Sequence, residues 1–100
     1  MPHLVCTPYT TEEEQPDWFE VIIDDETMVE SSAQTLGDSS VRLYYSLFQY
    51  PVNIQHSYSV IAVQDDPVLG EQKSSAAIGN FTIILQVLVP SPGGVHLEVI

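Results

Sequence analysis

Between Ser40 and Leu47 every second residue is apolar. Val41, Leu43, Tyr45 and Leu47 alternate with Arg42, Tyr44 and Ser46. A period of two marks a strand with one packed and one wet face, and an α-helix would scatter the same set around its axis. The pattern recurs along the chain. In "DWFEVIID" (17–24) Phe19, Val21 and Ile23 share a face, with Trp18, Glu20, Ile22 and Asp24 on the other. In "IQHSYSVIAV" (54–63) His56, Tyr58, Val60 and Ala62 fall together. "HLVCTPY" (3–9), "TMVES" (27–31), "SAAIGNFTIILQVLV" (75–89) and "GGVHLEVI" (93–100) complete the set of expected strands. No window sustains apolar spacing of three and four, and prolines and β-branched residues oppose helices. "ETMVESSAQTL" (26–36) lacks an apolar stripe and reads as loop or short strand. Short alternating strands between turn residues predict an all-β fold, a two-layer antiparallel sandwich. "FQYPVN" (48–53) is the connection that carries the chain from one sheet to the other.

The chain has 100 residues, 44% of them apolar, which suits one domain with a modest core. Its 14 acidic residues face only Arg42 and Lys73, for a formal net charge of −12. Such a surface repels nucleic acid and anionic membranes and favours a basic partner or bound cations. Cys6 is the only cysteine, so no internal disulfide is expected. The N-terminus has no basic n-region followed by an apolar run, so secretion through a signal peptide is not expected. Phe81–Val89, the longest greasy run, is too short to cross a bilayer.

Catalytic constellations are missing from the pattern. His3 and Cys6 make too few ligands for zinc, and His56 and His96 stand without supporting cysteines. Cys6 has no basic neighbour to lower its thiol pKa. Paired carboxylates occur only in polar loops, where their pKa values do not suit acid catalysis. The expectation is a non-enzymatic protein without cofactor or metal. Trp18, Tyr44 and Tyr50 are either sheet-surface packing or, as a weaker reading, an aromatic platform for sugars. The acidic loops admit three readings: a calcium shell built on Asp65, Asp66 and the Glu12–Glu14 run, a surface for a basic partner, or hydrated loops that keep the protein soluble.

"TPYTTEEEQPDWFEVIIDDE" (7–26) resembles the second and third strands of fibronectin type III-like domains. "SSVRLYYSL" (39–47) and "QHSYSVIAVQDDPVLGEQKSSAAI" (55–78) resemble their E, F and G strands. The run before the F strand looks like that of modules in tailed-bacteriophage virion proteins. The resemblance covers the chain to about Gln86 and is more specific for fold than for function. It implies that an F-strand side chain, either His56 or Tyr58, ties the E–F corner, and that Cys6 stands where the family carries a core Trp.

One departure from the family carries consequences. Its Pro-rich first strand has no counterpart at the N-terminus, whereas "VPSPGGVHLEV" (89–99) resembles it. The expected organisation is a sandwich over 1–87 and a linker with a displaced strand over 88–100. The linker from Leu88 to Gly94 reaches at most about 24 Å at roughly 3.4 Å per residue, against a sandwich about 20–30 Å long. The tail's destinations are then another copy of the chain, a neighbouring virion protein, or its own edge in reversed direction. The residues expected to carry strand exchange are Val95, Leu97 and Val99 on the tail and Ile83, Leu85 and Val87 on the last apolar strand. The family topology gathers Glu12, Glu13, Glu14, Asp17, Asp38, Asp65, Asp66 and Glu71 at one pole, with Asp24, Asp25 and Glu26 at the other. The resemblance implies a virion structural protein, either capsid decoration or cement or a head-neck-tail accessory, assembled in the host cytoplasm. Its partners would be copies of itself or neighbouring virion proteins. A second reading is an acidic nucleic-acid mimic that inhibits a host defence or DNA-binding protein. A third and weaker one is a glycan-binding module using Trp18 and Tyr44.

Overall fold

A computed structural model describes residues 2–84 and 91–99. The fold is all-β, with antiparallel pairing throughout and no α-helix among the described residues. In chain order the strands are β1 (His3–Val5), β2 (Trp18–Ile23), β3 (Val29–Ser32), β4 (Gln34–Thr35), β5 (Val41–Arg42), β6 (Tyr44–Ser46), β7 (Gln55–Asp66), β8 (Gly70–Lys73) and β9 (Ala77–Thr82). A single 3-10 turn, Glu12–Glu14, lies between β1 and β2.

One layer is a five-stranded sheet in the order β3-β2-β7-β8, with β9 pairing the first half of β7 and β8 its second half. The other layer is built from β1 on β6 and β4 on β5. Leu43 alone separates β5 from β6, and a bridge between Tyr9 and Val41 extends the β1 run beside them. Phe19, Val21 and Ile23 of β2 and Val60 of β7 pack against Leu43, with Leu4, Cys6, Tyr45, Tyr58 and Phe81 around them. This arrangement is compatible with a β-sandwich. Alternation explains the core directly. The cross-strand partners Phe19 and Ala62, Val21 and Val60, and Ile23 and Tyr58 point the same way, so one face of the central pair is apolar from end to end. Each fully buried side chain of this kind contributes about 1.5–3 kcal/mol, an upper estimate given a compact unfolded state.

The turn after β2 places two consecutive residues in the left-handed region. Asp24 and Asp25 both have φ of 55°, and Glu26 N–H closes the turn on Ile23 O at 3.1 Å. Positive φ at both central positions is the requirement of a type I′ turn, which favours Asn or Asp first and Gly second. Asp24 uses its side chain: Oδ1 accepts the Ser57 N–H at 2.9 Å. Asp25 is exposed and bears the steric cost of positive φ. Asp25→Gly is therefore expected to stabilise the fold by about 0.5–1 kcal/mol, read as a raised urea midpoint. A fall in the midpoint would contradict the turn assignment.

The handover from β7 to β8 is organised by Asp66. Its Oδ1 accepts N–H groups from Val68 at 2.7 Å and Leu69 at 2.9 Å, and Gly70 follows with φ of 79°. These bonds hold the Asp66 carboxyl below the ordinary carboxylate range. Between β8 and β9 the ladder is interrupted at Ser74, whose N–H donates to Ala62 O at 3.0 Å while its Oγ accepts the Ala62 N–H at 2.9 Å. Further down, the Tyr58 ring lies over Gly79, its direct cross-strand partner, leaving no space there for a Cβ.

The expected strand over 75–89 begins at Ala77, and its described part ends at Thr82, with Leu85 and Val87 outside the described residues. Residues 91–99, which hold the described part of the strand expected over 93–100, pair with no strand of their own chain among the described residues, and all nine are exposed. No helix of the described residues is long and apolar enough to cross a membrane.

Candidate interaction surface

The second layer is open along β1. β1 pairs with β6 alone, in a register that sets Leu4 against Tyr45 and Val5 against Tyr44. Leu47 N–H donates to Pro2 O at 3.0 Å. Alternation along the ladder then turns the Val5 N–H and C=O toward the outer edge, where no strand lies among the described residues. Across the gap lies the five-stranded sheet, its ladder interrupted at Ser74. The result is a cleft of about 420 Å³. Phe19, Leu43 and Val60 contribute its buried lining, Leu4, Val5, Cys6 and Tyr9 come from the β1 run, and Tyr58, Ala62, Ser74, Ser75 and Ala77 from the facing sheet. No Asp, Glu, Lys or Arg lines it. Cys6 sits inside with a half-buried thiol whose Sγ accepts the Leu43 N–H at 3.2 Å.

Several acidic residues gather at one end. Glu12, Glu13, Asp17, Asp65 and Asp66 line a cleft of about 630 Å³, with Gln15, Gln64 and Pro16 between them. Asp38 meets Glu12 in an adjoining depression, Glu14 lines a third beside Gln64 and Lys73, and Glu71 stands opposite Asp65 in the β7–β8 ladder. The loops are tied by side chains: Gln64 Nε2 donates to Glu13 O at 2.8 Å, and Asp65 N–H donates to Asp17 Oδ2 at 2.7 Å. Asp38 is held below its ordinary range by the Ser40 hydroxyl and then the Ser40 N–H. Neither strong cation neutralises the larger cleft. Lys73 is engaged by Glu20 at 3.1 Å, which raises its pKa, and Arg42 donates to Gln34 Oε1 at 2.7 Å beneath the Tyr44 ring. Among the described residues no three His, Cys, Asp or Glu side chains converge as metal ligands.

At the opposite pole His56 ties the connection between the layers. The ring is 2% exposed. Its Nδ1 lies 2.6 Å from Asp24 Oδ2 and its Nε2 2.8 Å from Pro51 O. Phe81 stacks on it at 5.1 Å, and Tyr50 meets its edge at 6.0 Å. Of the two corner candidates, His56 makes the bond back to the connection, while Tyr58 covers Gly79. Burial and the Tyr45 hydroxyl push the Tyr50 phenol up to about 12. Trp18 is on the outer face of the five-stranded sheet, Tyr44 on the outer face of the other layer stacked on His3 at 4.0 Å, and Tyr50 in the connection. The three aromatic rings do not share a surface.

Of the residues expected to exchange strands, Ile83 accepts the Asn53 N–H at 2.7 Å and lines an apolar depression with Pro2, Leu47, Phe48 and Ile84. Val95, Leu97 and Val99 are 80%, 87% and 87% exposed. The cleft beside β1 was not legible as a list of residues beforehand. The resemblance leads to the expectation of an empty edge, but not to which side chains surround it. The chain matches no protein-family model, no curated protein and no solved structure with which it was compared.

Proposed function

We propose that the chain is a non-enzymatic assembly module. In this reading it is a fibronectin type III-like sandwich whose first strand has moved to the C-terminus, and it serves as a structural component of a tailed-phage virion. Its place is capsid decoration or a head-neck-tail joint. It acts through protein contacts and strand addition, in which ladder hydrogen bonds supply affinity and alternate side chains supply register. The observation that carries the reading is the uncharged cleft along the unpaired edge of β1. An exposed edge above an apolar floor is a liability in a solitary domain and an asset in one that assembles.

Magnitudes fit a repeated rather than a solitary contact. Burying three apolar side chains contributes about 5–9 kcal/mol at about 1.5–3 each. Each ladder hydrogen bond adds a net of about 0.5–1.5 kcal/mol. Association costs about 4–15 kcal/mol before any gain appears. One strand alone then holds modestly, and many copies arrayed on a particle hold firmly.

The uncompensated carboxylates at the other pole favour a second reading, an acidic inhibitor that imitates nucleic acid. A mimic needs charges spaced along a face as phosphates are, whereas these line a cleft at one end. Mass spectrometry of purified virions separates the two. The assembly role expects the chain at a fixed stoichiometry in particles. Its absence from particles, with recovery from infected-cell lysate on a DNA-binding protein, would support the mimic instead.

A further inference from the structure

We infer that the cleft beside β1 receives residues Val95–Val99 of a second copy of this chain, an inference that rests on the assembly role above. The segment has the right pattern: Val95, Leu97 and Val99 fall on one face of an extended strand, and His96 and Glu98 on the other. The three apolar side chains are almost fully exposed in the single chain, so the segment leaves its own cleft unfilled. The molecule is accordingly elongated, 84 × 32 × 17 Å. Its radius of gyration is 20.4 Å, where a compact chain of this length has about 13 Å.

Charge narrows the choice of occupant. Two copies at net −12 each repel over most of their surface. The cleft is a patch without carboxylates, and the segment 91–99 carries a single acid, Glu98, beside His96. These are the two surfaces that like-charged copies can bring together. Backbone supply matches as well. Val5 turns its N–H and C=O outward, Val95–Val99 extends about 14 Å at roughly 3.4 Å per residue, and Gly94 at φ of 65° lets the chain turn into the cleft. The contact is heterologous, with the edge of one copy and the tail of the next, so it builds rings or filaments unless two copies exchange tails reciprocally.

Cys6 makes the inference testable because it lines the cleft and is the only cysteine. Directly opposed residues on neighbouring strands approach within disulfide range. Val95→Cys, Leu97→Cys and Val99→Cys are prepared separately in the full chain and oxidised. The expected result is a covalent dimer or ladder on a non-reducing gel, strongest for one of the three positions, with mass spectrometry linking the new thiol to Cys6. Leu97→Asp, in an exposed segment that pairs with no described strand of its own chain, is expected to weaken self-association at least about tenfold by light scattering while the circular dichroism stays unchanged. A link to Cys6 within one chain overturns the inference in favour of self-pairing. Self-association that survives Leu97→Asp overturns the tail as donor but leaves an assembly module. A monomer that forms no link yet is stoichiometric in virions overturns the second copy as partner and leaves the virion role standing. A monomer that forms no link and is absent from virions overturns both.

Discussion

Phe19→Ala is expected to remove most of the chain's stability. Phe19 is 2% exposed and sits at the centre of the buried cluster, flanked in its sheet by Ser31 and Ala62 and facing Tyr9 at 6.3 Å across the layers. Truncating a buried phenylalanine costs about 3–5 kcal/mol, part from lost transfer energy and part from the cavity left behind. A domain of this size has about 5–15 kcal/mol to lose. Two features put this one toward the lower figure. Its buried apolar set among the described residues is small, with Phe19, Val21, Ile23, Val41, Leu43, Leu47, Val60 and Val63 its members. Its net charge of −12 also opposes compaction. The cavity would open into the cleft beside β1, because Phe19 already lines it, so water can enter the space and relaxation recovers little. Urea denaturation is expected to show a fall in midpoint with an unchanged slope. Val68→Ala, at a residue 87% exposed in the β7–β8 turn, is the matched control and should move the midpoint little. A loss under 1 kcal/mol for Phe19→Ala would mean that the sheets are not packed through this residue.

Alternation read the inner faces well because each strand meets one core and one solvent. The β2 set Phe19, Val21 and Ile23 is buried as a group, and Val41, Leu43 and Leu47 are buried opposite it. It failed where an outer face acquires a cover of its own. Val63 is fully buried, yet it belongs to the outer set of β7, paired between Trp18 and Lys73. The salt bridge of Lys73 to Glu20 spans the same face, and no local pattern announces it. Alternation does not mark β8, because "GEQK" has no apolar pattern and all four residues are exposed. It is a strand because β7 runs to Asp66 and the Asp66 turn sends the next residues back along it. The pole of carboxylates was legible, since loops that join strands at one end lie together once the topology is assumed. The pair of His56 and Asp24 was not, because 32 positions separate them and only the folded sheet brings the β2 turn to the start of β7.

That pair governs the second large effect, the dependence of stability on pH. Both ring nitrogens of the buried His56 face acceptors, the Asp24 carboxylate and the Pro51 carbonyl. Neither acceptor can donate, so the two bonds are both made only when both nitrogens carry protons and the ring, stacked on Phe81, is a cation. The Asp24 hydrogen bond, followed by that of Pro51, raises the His56 pKa above its ordinary 6.5. The His56 bond, followed by the Ser57 N–H, lowers the Asp24 pKa below its ordinary 3.8. A raised histidine contributes stability that is complete below 6.5 and is lost as pH rises through the folded value. A lowered carboxyl contributes stability that is complete above 3.8 and is lost as pH falls through its folded value. The pair is thus intact between about pH 4 and pH 6.5. The thermal midpoint should be highest there and fall toward pH 9, as a neutral ring leaves one buried acceptor without a donor. His56→Gln should lower the midpoint at pH 5.5 and flatten the alkaline decline. Asp24→Asn tolerates the positive φ but removes the charge, and should move the decline toward lower pH. Midpoints taken by circular dichroism across this range test the assignment. A wild-type midpoint flat from pH 6 to 9, or an Asp24→Asn curve superimposable on wild type, would show that His56 is held neutral and that the corner is closed by packing alone.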